Sequence, residues 1–351
     1  MTAVDTTRRW TRRPEGSNWG DYGPDDQLGR MNSITPEMRL AALRGVREGK
    51  VFALSLPLDY PGGNLLNPRR LPPRRFATIR NDRANFNYAF NQDNPNWTDV
   101  VNDDVVLMTL QYSTQWDTLA HVGSTFDADG DGKPEIVYYN GYRGGEHVVG
   151  AEAKSGVEPW ARFEGVEAKA LGAENMAESC VQGRGVLIDL HAHFGREPKS
   201  VGYDDLMRVL DKDKVEIGVG DMVCLHTGFA EMLLEMRKNP DEHKVHHSCP
   251  SLNGRDPKLL EWVTKSKLSV LIGDNYAVET VPSAAGSGTH AALPLHEHCL
   301  FKLGVNLGEL WYLTPLATWL RQNHRNRFFL TAPPLRLPGA VGSPATPVAT
   351  V

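Results

Sequence analysis

The chain has little cysteine. Cys180, Cys224, Cys249 and Cys299 are scattered over its 351 residues, and no two of them form a C-x-x-C pair. That spacing argues against a disulfide framework and against a zinc knuckle, and it fits a reducing compartment. Long apolar runs are missing as well, and none approaches the roughly 20 residues that span a bilayer. The N-terminal Thr7-Arg-Arg-Trp-Thr-Arg-Arg13 is basic but lacks the apolar centre of a signal peptide. We therefore expect a cytoplasmic protein with no membrane partner. The 38 basic and 43 acidic residues leave a net charge of −5, and no block of Lys and Arg suited to a phosphate backbone occurs, so nucleic acid is not an expected partner. No Gly-x-Gly-x-x-Gly opens a helix and there is no P-loop lysine, which leaves nucleotide cofactors without support.

What is present is globular. Hydrophobic residues make up 40% and charged residues 23% of the chain, near the averages for folded domains. Residues 1–20 are polar and Arg-rich and read as an arm, with Trp10 and Trp19 suited to docking on something. Thr35-Pro36-Glu37 is a helix start, with Thr35 as N-cap, and Met38, Ala41, Ala42 and Val46 continue it with helical period until Gly49. Apolar, β-branched runs at 51–56, 105–110, 186–190, 220–226 and 268–272 read as strands. Helical stretches around Leu206–Leu210, Phe229–Met236 and Lys258–Val263 alternate with the later strands, which indicates an α/β class. The segment from Pro57 to Trp97 is long, irregular and aromatic, and reads as a packed lid or an oligomer-contact loop.

Three polar clusters invite a metal. Asp127-Ala-Asp129-Gly-Asp131 resembles half of a calcium loop, but its twelfth position is Tyr138, where such a loop needs a bidentate acid; a Gly/Asp-rich turn fits better. His191 and His193 would share a face on a strand, yet two ligands make no site. The third cluster is Gln111-Tyr-Ser-Thr-Gln115-Trp-Asp117-Thr-Leu-Ala-His121. Gln111, Gln115, Asp117 and His121 share one parity, but residues four apart on a strand lie about 13 Å apart, too far to share one ion. If they form one site, the chain coils just after Ser113 and makes Asp117 and His121 i,i+4 neighbours on a short helical turn.

This last stretch resembles the signature of the cyclase-family metal-dependent hydrolases, which include bacterial kynurenine formamidases, isatin hydrolases and trans-dienelactone hydrolase. Their pattern is H-x-x-x-H-x-D-x-x-x-H, and this chain reads Q-x-x-x-Q-x-D-x-x-x-H. Further blocks match in order: Asp25–Gly29 with Asn32–Glu37, Tyr139-Asn-Gly141, Gly183–Asp189, Gly220-Asp221 with Thr227-Gly228, and Pro294-Leu-His296 with Gly304 and Gly308-Glu309-Leu310. The resemblance implies a swivelling β/β/α fold with a mixed sheet in one domain over 21–351, a homo-oligomer (dimer or tetramer) and a small-molecule substrate. It implies a divalent metal ion, Mn or Zn, with Asp117, His296 and Glu309 as ligands, and His121 as general acid/base. His298 is the rival of His296. Gln111 and Gln115 stand where the family has histidines; they either ligate through a neutral carbonyl oxygen or hydrogen-bond water on the metal. The implied activity is hydrolysis of a cyclic amide, a lactone or an N-formyl amide. The alternatives are a metal-free small-molecule binding protein and a lyase or cyclase using the same histidine.

Overall fold

The computed structural model describes residues 8–157 and 162–351; residues 1–7 of the expected arm lie outside the described residues. The fold is built on one nine-stranded mixed sheet. Its strands in chain order are β1 (Val51–Ala53), β4 (Gln115–Asp117), β5 (Gln182–Asp189), β6 (Met222–His226), β7 (Val270–Gly273), β8 (Asn306–Glu309), β9 (Arg327–Thr331), β10 (Gly342–Pro344) and β11 (Val348–Thr350). A separate ladder joins β2 (Arg74–Ala77) to β3 (Asp104–Leu107). Across the main sheet the order is β1-β11-β9-β5-β6-β7-β8-β4-β10. The centre, β5 to β8, is parallel, and every other pairing in this sheet is antiparallel.

A parallel centre has both faces covered, so its strands are apolar on both sides. Val186, Ile188, Val223, Leu225, Leu271 and Leu307 point into one core. Leu187, Met222, Cys224, Val270 and Ile272 point into the other, with Trp116 and Trp311. Helices α1 (Pro36–Leu43), α2 (Leu190–Phe194), α3 (Tyr203–Asp213), α4 (Phe229–Glu235), α5 (Pro257–Ser266) and α6 (Thr314–Gln322) surround the sheet. The α/β class and the mixed sheet expected from the sequence are what the chain forms. Trp19 is buried, donating its indole N–H to the Phe301 carbonyl, and Trp10 packs edge-on against it.

Local details differ from expectation. Helix α1 is capped by Thr35 as expected but stops at Leu43, because the Glu48 and Gly49 N–H groups bond to the Val351 carbonyl instead of continuing the helix. Strand β1 ends at Ala53, after which Leu54 still bonds Pro347 and Pro57 breaks the run. The run at 105–110 is not a buried strand of the main sheet. Its first half pairs with Arg74–Ala77 in the two-stranded ladder, exposed on both faces. Phe76, Ile79, Phe86, Val105 and Val106 stand in solvent there, Ile79 at 81% exposure. No helix among the described residues is long and apolar enough to cross a membrane.

Candidate metal centre

Strand β4 lies between β8 and β10, both antiparallel to it. The register sets Gln115 opposite Glu309 and Pro344, and Asp117 opposite Leu307 and Gly342. Side-chain alternation then sends Gln115, Asp117 and Glu309 to one face. Trp116 goes to the other face, edge-on to Trp311 with ring centroids 5.1 Å apart. The chain does reverse, but after Asp117 and not after Ser113, so the expected helical turn does not form. Residues 115–117 are strand because two neighbouring strands offer ladder partners that a lone turn would forgo. Thr118–His121 is a tight turn closed by the His121 N–H on the Thr118 carbonyl. It brings His121 Nε2 to 3.6 Å from Asp117 Oδ1, with the imidazole 22% exposed at the rim of a buried cluster.

His296 arrives from the short helix Pro294–His296. Its Nε2 lies 3.3 Å from Glu309 Oε1, and its Nδ1 donates to Glu279 Oε1 at 2.7 Å. Glu279 also accepts the backbone N–H groups of Leu295 and His296, at 3.1 and 3.0 Å. That carboxylate fixes the ring and leaves Nε2 aimed at the cluster, the arrangement that orients histidine ligands. Gln115 Nε2 donates to Asp117 Oδ1 at 3.2 Å and to Glu309 Oε2 at 3.0 Å. Arg70 Nη1 stands 3.6 Å from Glu309 Oε2.

Burial pushes the Asp117 carboxyl up, and the charge of Glu309 adds to this against the pull of His121, His296 and Arg70. Burial also raises Glu309, but the His296 hydrogen bond and the Arg70 charge outweigh it and hold the group below the usual carboxylate range. Burial alone would lower His296; its hydrogen bonds to Glu279 and Glu309 carry it instead to about 10. The cluster therefore favours a positive charge between its carboxylates.

The donor set fits a divalent cation. Ligand atoms of Asp117, His296 and Glu309 all lie within 4.8 Å of one another. Two donors on one ion, at bonds of about 2.0–2.6 Å, stand no more than roughly 5 Å apart. Asp117 Oδ2 is buried with no hydrogen-bond partner, and an orphaned buried oxygen of this kind calls for an explanation such as an ion.

Other sequence-stated candidates lie elsewhere. The Gln111 amide sits on the same face, over Gly342, where a Cβ would come within 2.4 Å of its Nε2, but it makes no bond to the cluster. His298 faces Thr264 Oγ1 at 2.9 Å, and burial pushes its pKa down to about 4. His191 and His193 are on helix α2, not on a strand; His193 meets Asp213 at 2.8 Å. Asp127, Asp129 and Glu135 converge as a second acidic group, neutralised by Arg12 and Arg143. Two residues at the cluster escaped the sequence reading. Glu279 belongs to no motif, and Arg70 lay in the long, irregular and aromatic segment, where nothing singled it out.

A cavity of about 190 Å³ reaches Glu279 behind the cluster, and two roomier clefts lie elsewhere. A cleft of about 450 Å³ is lined by residues such as Leu187, Asp189, Lys214 and Arg321, and one of about 560 Å³ by Val122, Gly123, Glu297 and others. Neither includes a residue of the cluster. The gap beside Arg70, under Pro61, Gly63 and Asn67 and against Tyr112 and Tyr276, holds only about 10 Å³, one water's worth.

Comparison with known proteins agrees with this architecture. No curated protein sequence matches. A crystal structure described as a novel cyclase is 31% identical, covering 95% of this chain and 99% of its own, with a TM-score of 0.71. Isatin hydrolase A from Ralstonia solanacearum is 17% identical, covering 90% of this chain and 97% of its own, with a TM-score of 0.54. Isatin hydrolase A from Labrenzia aggregata, bound to benzyl benzoate, is 14% identical over 89% of this chain and 97% of its own, with a TM-score of 0.52. The last two share the fold. Residues 53–280 match the sequence profile described as "Putative cyclase", and with a relative of the same description aligned from end to end, the chain belongs to the putative cyclase family.

Proposed function

We propose that this protein is a metal-dependent hydrolase that opens a small cyclic amide or lactone, or cleaves an N-formyl amide. The observation that carries the reading is the buried convergence of Asp117, His296 and Glu309, with His121 beside Asp117 at the exposed rim. Fold relatives named isatin hydrolase support the direction.

Asp117, His296 and Glu309 would hold one divalent ion, with Gln115 adding its carbonyl oxygen once its amide turns. A set of two carboxylates, an amide oxygen and one imidazole is hard enough to favour Mn over Zn. When bound, the ion supplies Lewis acidity, which lowers the pKa of a water and polarises the scissile C=O. His121 does the proton work. Its Nε2 faces Asp117 Oδ1 and can take a proton from the attacking water and return it to the leaving nitrogen or oxygen, the role for which histidine is the commonest side chain. Glu279 keeps His296 in the Nδ1–H tautomer. The turn Thr118–His121 fixes where the shuttle sits relative to the carboxylates.

A second reading has its own support. Gln115 and Arg70 both present donors to Glu309, which lets the cluster persist without a metal, as a small-molecule binding protein would need. Elemental analysis of protein purified without chelator separates the two. One equivalent of Mn or Zn per chain, with hydrolysis of lactones, cyclic amides or N-formyl arylamines lost on chelation and restored by the ion, supports the hydrolase. No transition metal and no chelator effect overturns it.

A further inference from the structure

One positive charge at this site comes from a strap, not from the sheet. Arg70 follows Asn67, whose carbonyl accepts its backbone N–H, in the segment that closes over Glu309. Its guanidinium stands 5.7 Å from the Tyr276 ring centroid and 3.6 Å from Glu309 Oε2. Its side chain is 16% exposed, yet its N–H groups donate no hydrogen bond to any other described residue. An arginine beside an aromatic face, with N–H donors left over beyond one long ion pair, can receive a planar anion in two parallel bonds.

Resting on the hydrolase reading, we infer that Arg70 is the positioning residue for the acyl end of the substrate and receives the carboxylate that hydrolysis creates. The bond balance makes this charge unavoidable. Water oxygen bonds to the acyl carbon, the C–N or C–O bond breaks, one water proton goes to the leaving atom and the other is released, and a neutral acyl group becomes a carboxylate. That anion appears beside Asp117 and Glu309, where like charge is costly, and Arg70 is the cation there with N–H donors to spare beyond its pair with Glu309. The gap beside it admits about one water, so a ring-sized ligand seats against the guanidinium only if the strap gives way.

Benzoate and benzamide, equal in shape and different in charge, are the probes. Calorimetric titration of full-length wild type, Arg70→Gln and Arg70→Lys, with metal content and Tm measured on each sample, decides the matter. We expect wild type to bind benzoate at least tenfold more tightly than benzamide, Arg70→Gln to erase that preference, and Arg70→Lys to restore part of it, with metal retained and the protein folded at the assay temperature throughout. A preference retained in Arg70→Gln, or absent from wild type, overturns the inference. So does loss of metal or of the fold at the assay temperature together with the preference, since Arg70 would then serve only to balance the cluster. The hydrolase reading stands or falls separately, on the metal content and chelator sensitivity of wild type.

Discussion

Glu279 gives the sharpest test of how the cluster is held. It is fully buried and accepts three N–H groups: Leu295 N, His296 N and His296 Nδ1. Glu279→Ala leaves three buried donors without acceptors, at roughly 1–3 kcal/mol each. The sum, about 3–9 kcal/mol, rivals the entire stability of an ordinary domain, about 5–15 kcal/mol, so that variant is expected to be poorly folded and uninformative. Glu279→Gln is the working substitution. Its oxygen can replace Oε1 and keep both bonds to His296, while its NH₂ meets the Leu295 N–H donor to donor, costing roughly 1–3 kcal/mol. The tautomer survives but the charge behind the ring is lost. Removal of such an orienting partner weakens metal binding about 10–100-fold, and we place this variant near the lower end, about tenfold, or roughly 1.4 kcal/mol. Competition titration of Mn and Zn against a chromophoric chelator, alongside thermal unfolding, reads both quantities. A folded Glu279→Gln protein with wild-type metal affinity would refute the argument that this carboxylate tunes His296.

Further outcomes follow from other parts of the molecule. His121→Ala is expected to keep metal and fold while lowering kcat by roughly 10²–10⁴, whereas Asp117→Ala loses metal and activity together; metal content, Tm and kcat on one preparation separate these from a structural role for His121. The buried pair His226 and Asp189, with ring Nδ1 and carboxylate 2.8 Å apart, sets a pH dependence of stability. Burial pulls the His226 imidazole down, but its bond to Asp189 and the nearby charge of Asp274 outweigh this and raise it. Its contribution is thus fully present below about pH 6.5 and fades as pH rises through the folded value. Burial would raise Asp189, yet the His226 and Arg321 contacts hold it at about 2, so its share is present above about pH 4 and is lost on acidification toward 2. Thermal melts from pH 3 to 9 should show His226→Gln with a flatter profile than wild type, and identical profiles would contradict this. The homo-oligomer we propose can be tested at exposed Phe76 and Ile79: the double serine variant is expected to lower the sedimentation mass without lowering Tm of the protomer, and an unchanged mass places any interface elsewhere.

The sequence carried the α/β class because Val186–Leu190 and Leu268–Ile272 are short apolar runs set between helical periods, and such local patterns survive into the fold. It carried Asp117, His121, His296 and Glu309 as chemistry-bearing residues only through the spacing of a family signature. It did not carry their geometry. Nothing local says that 115–117 is a strand, since the partners that make it one are β8 and β10, far along the chain. The 105–110 run misled for the same reason: Val105 and Val106 favour a strand wherever it lies, and the pairing with Arg75 and Phe76 that keeps it exposed is non-local. Glu279 and Arg70 act through tertiary contacts, and a lone Glu or Arg has no period or motif by which to be noticed.

The pairing of β4 also bears on how the protein is made. Gln115 meets Glu309 across 194 residues, and Thr118 meets Val341 across 223. At roughly 5–20 residues per second, a ribosome needs about 10–40 s after making Gln115 before Glu309 exists. Throughout that interval Asp117 and Gln115 have no strand on either side and no imidazole to share a charge with. On the proposed reading, a nascent or prematurely terminated chain therefore has no centre with which to capture a cation from the cell, and loading with metal would be a late event that only a finished β4–β8–β10 layer permits.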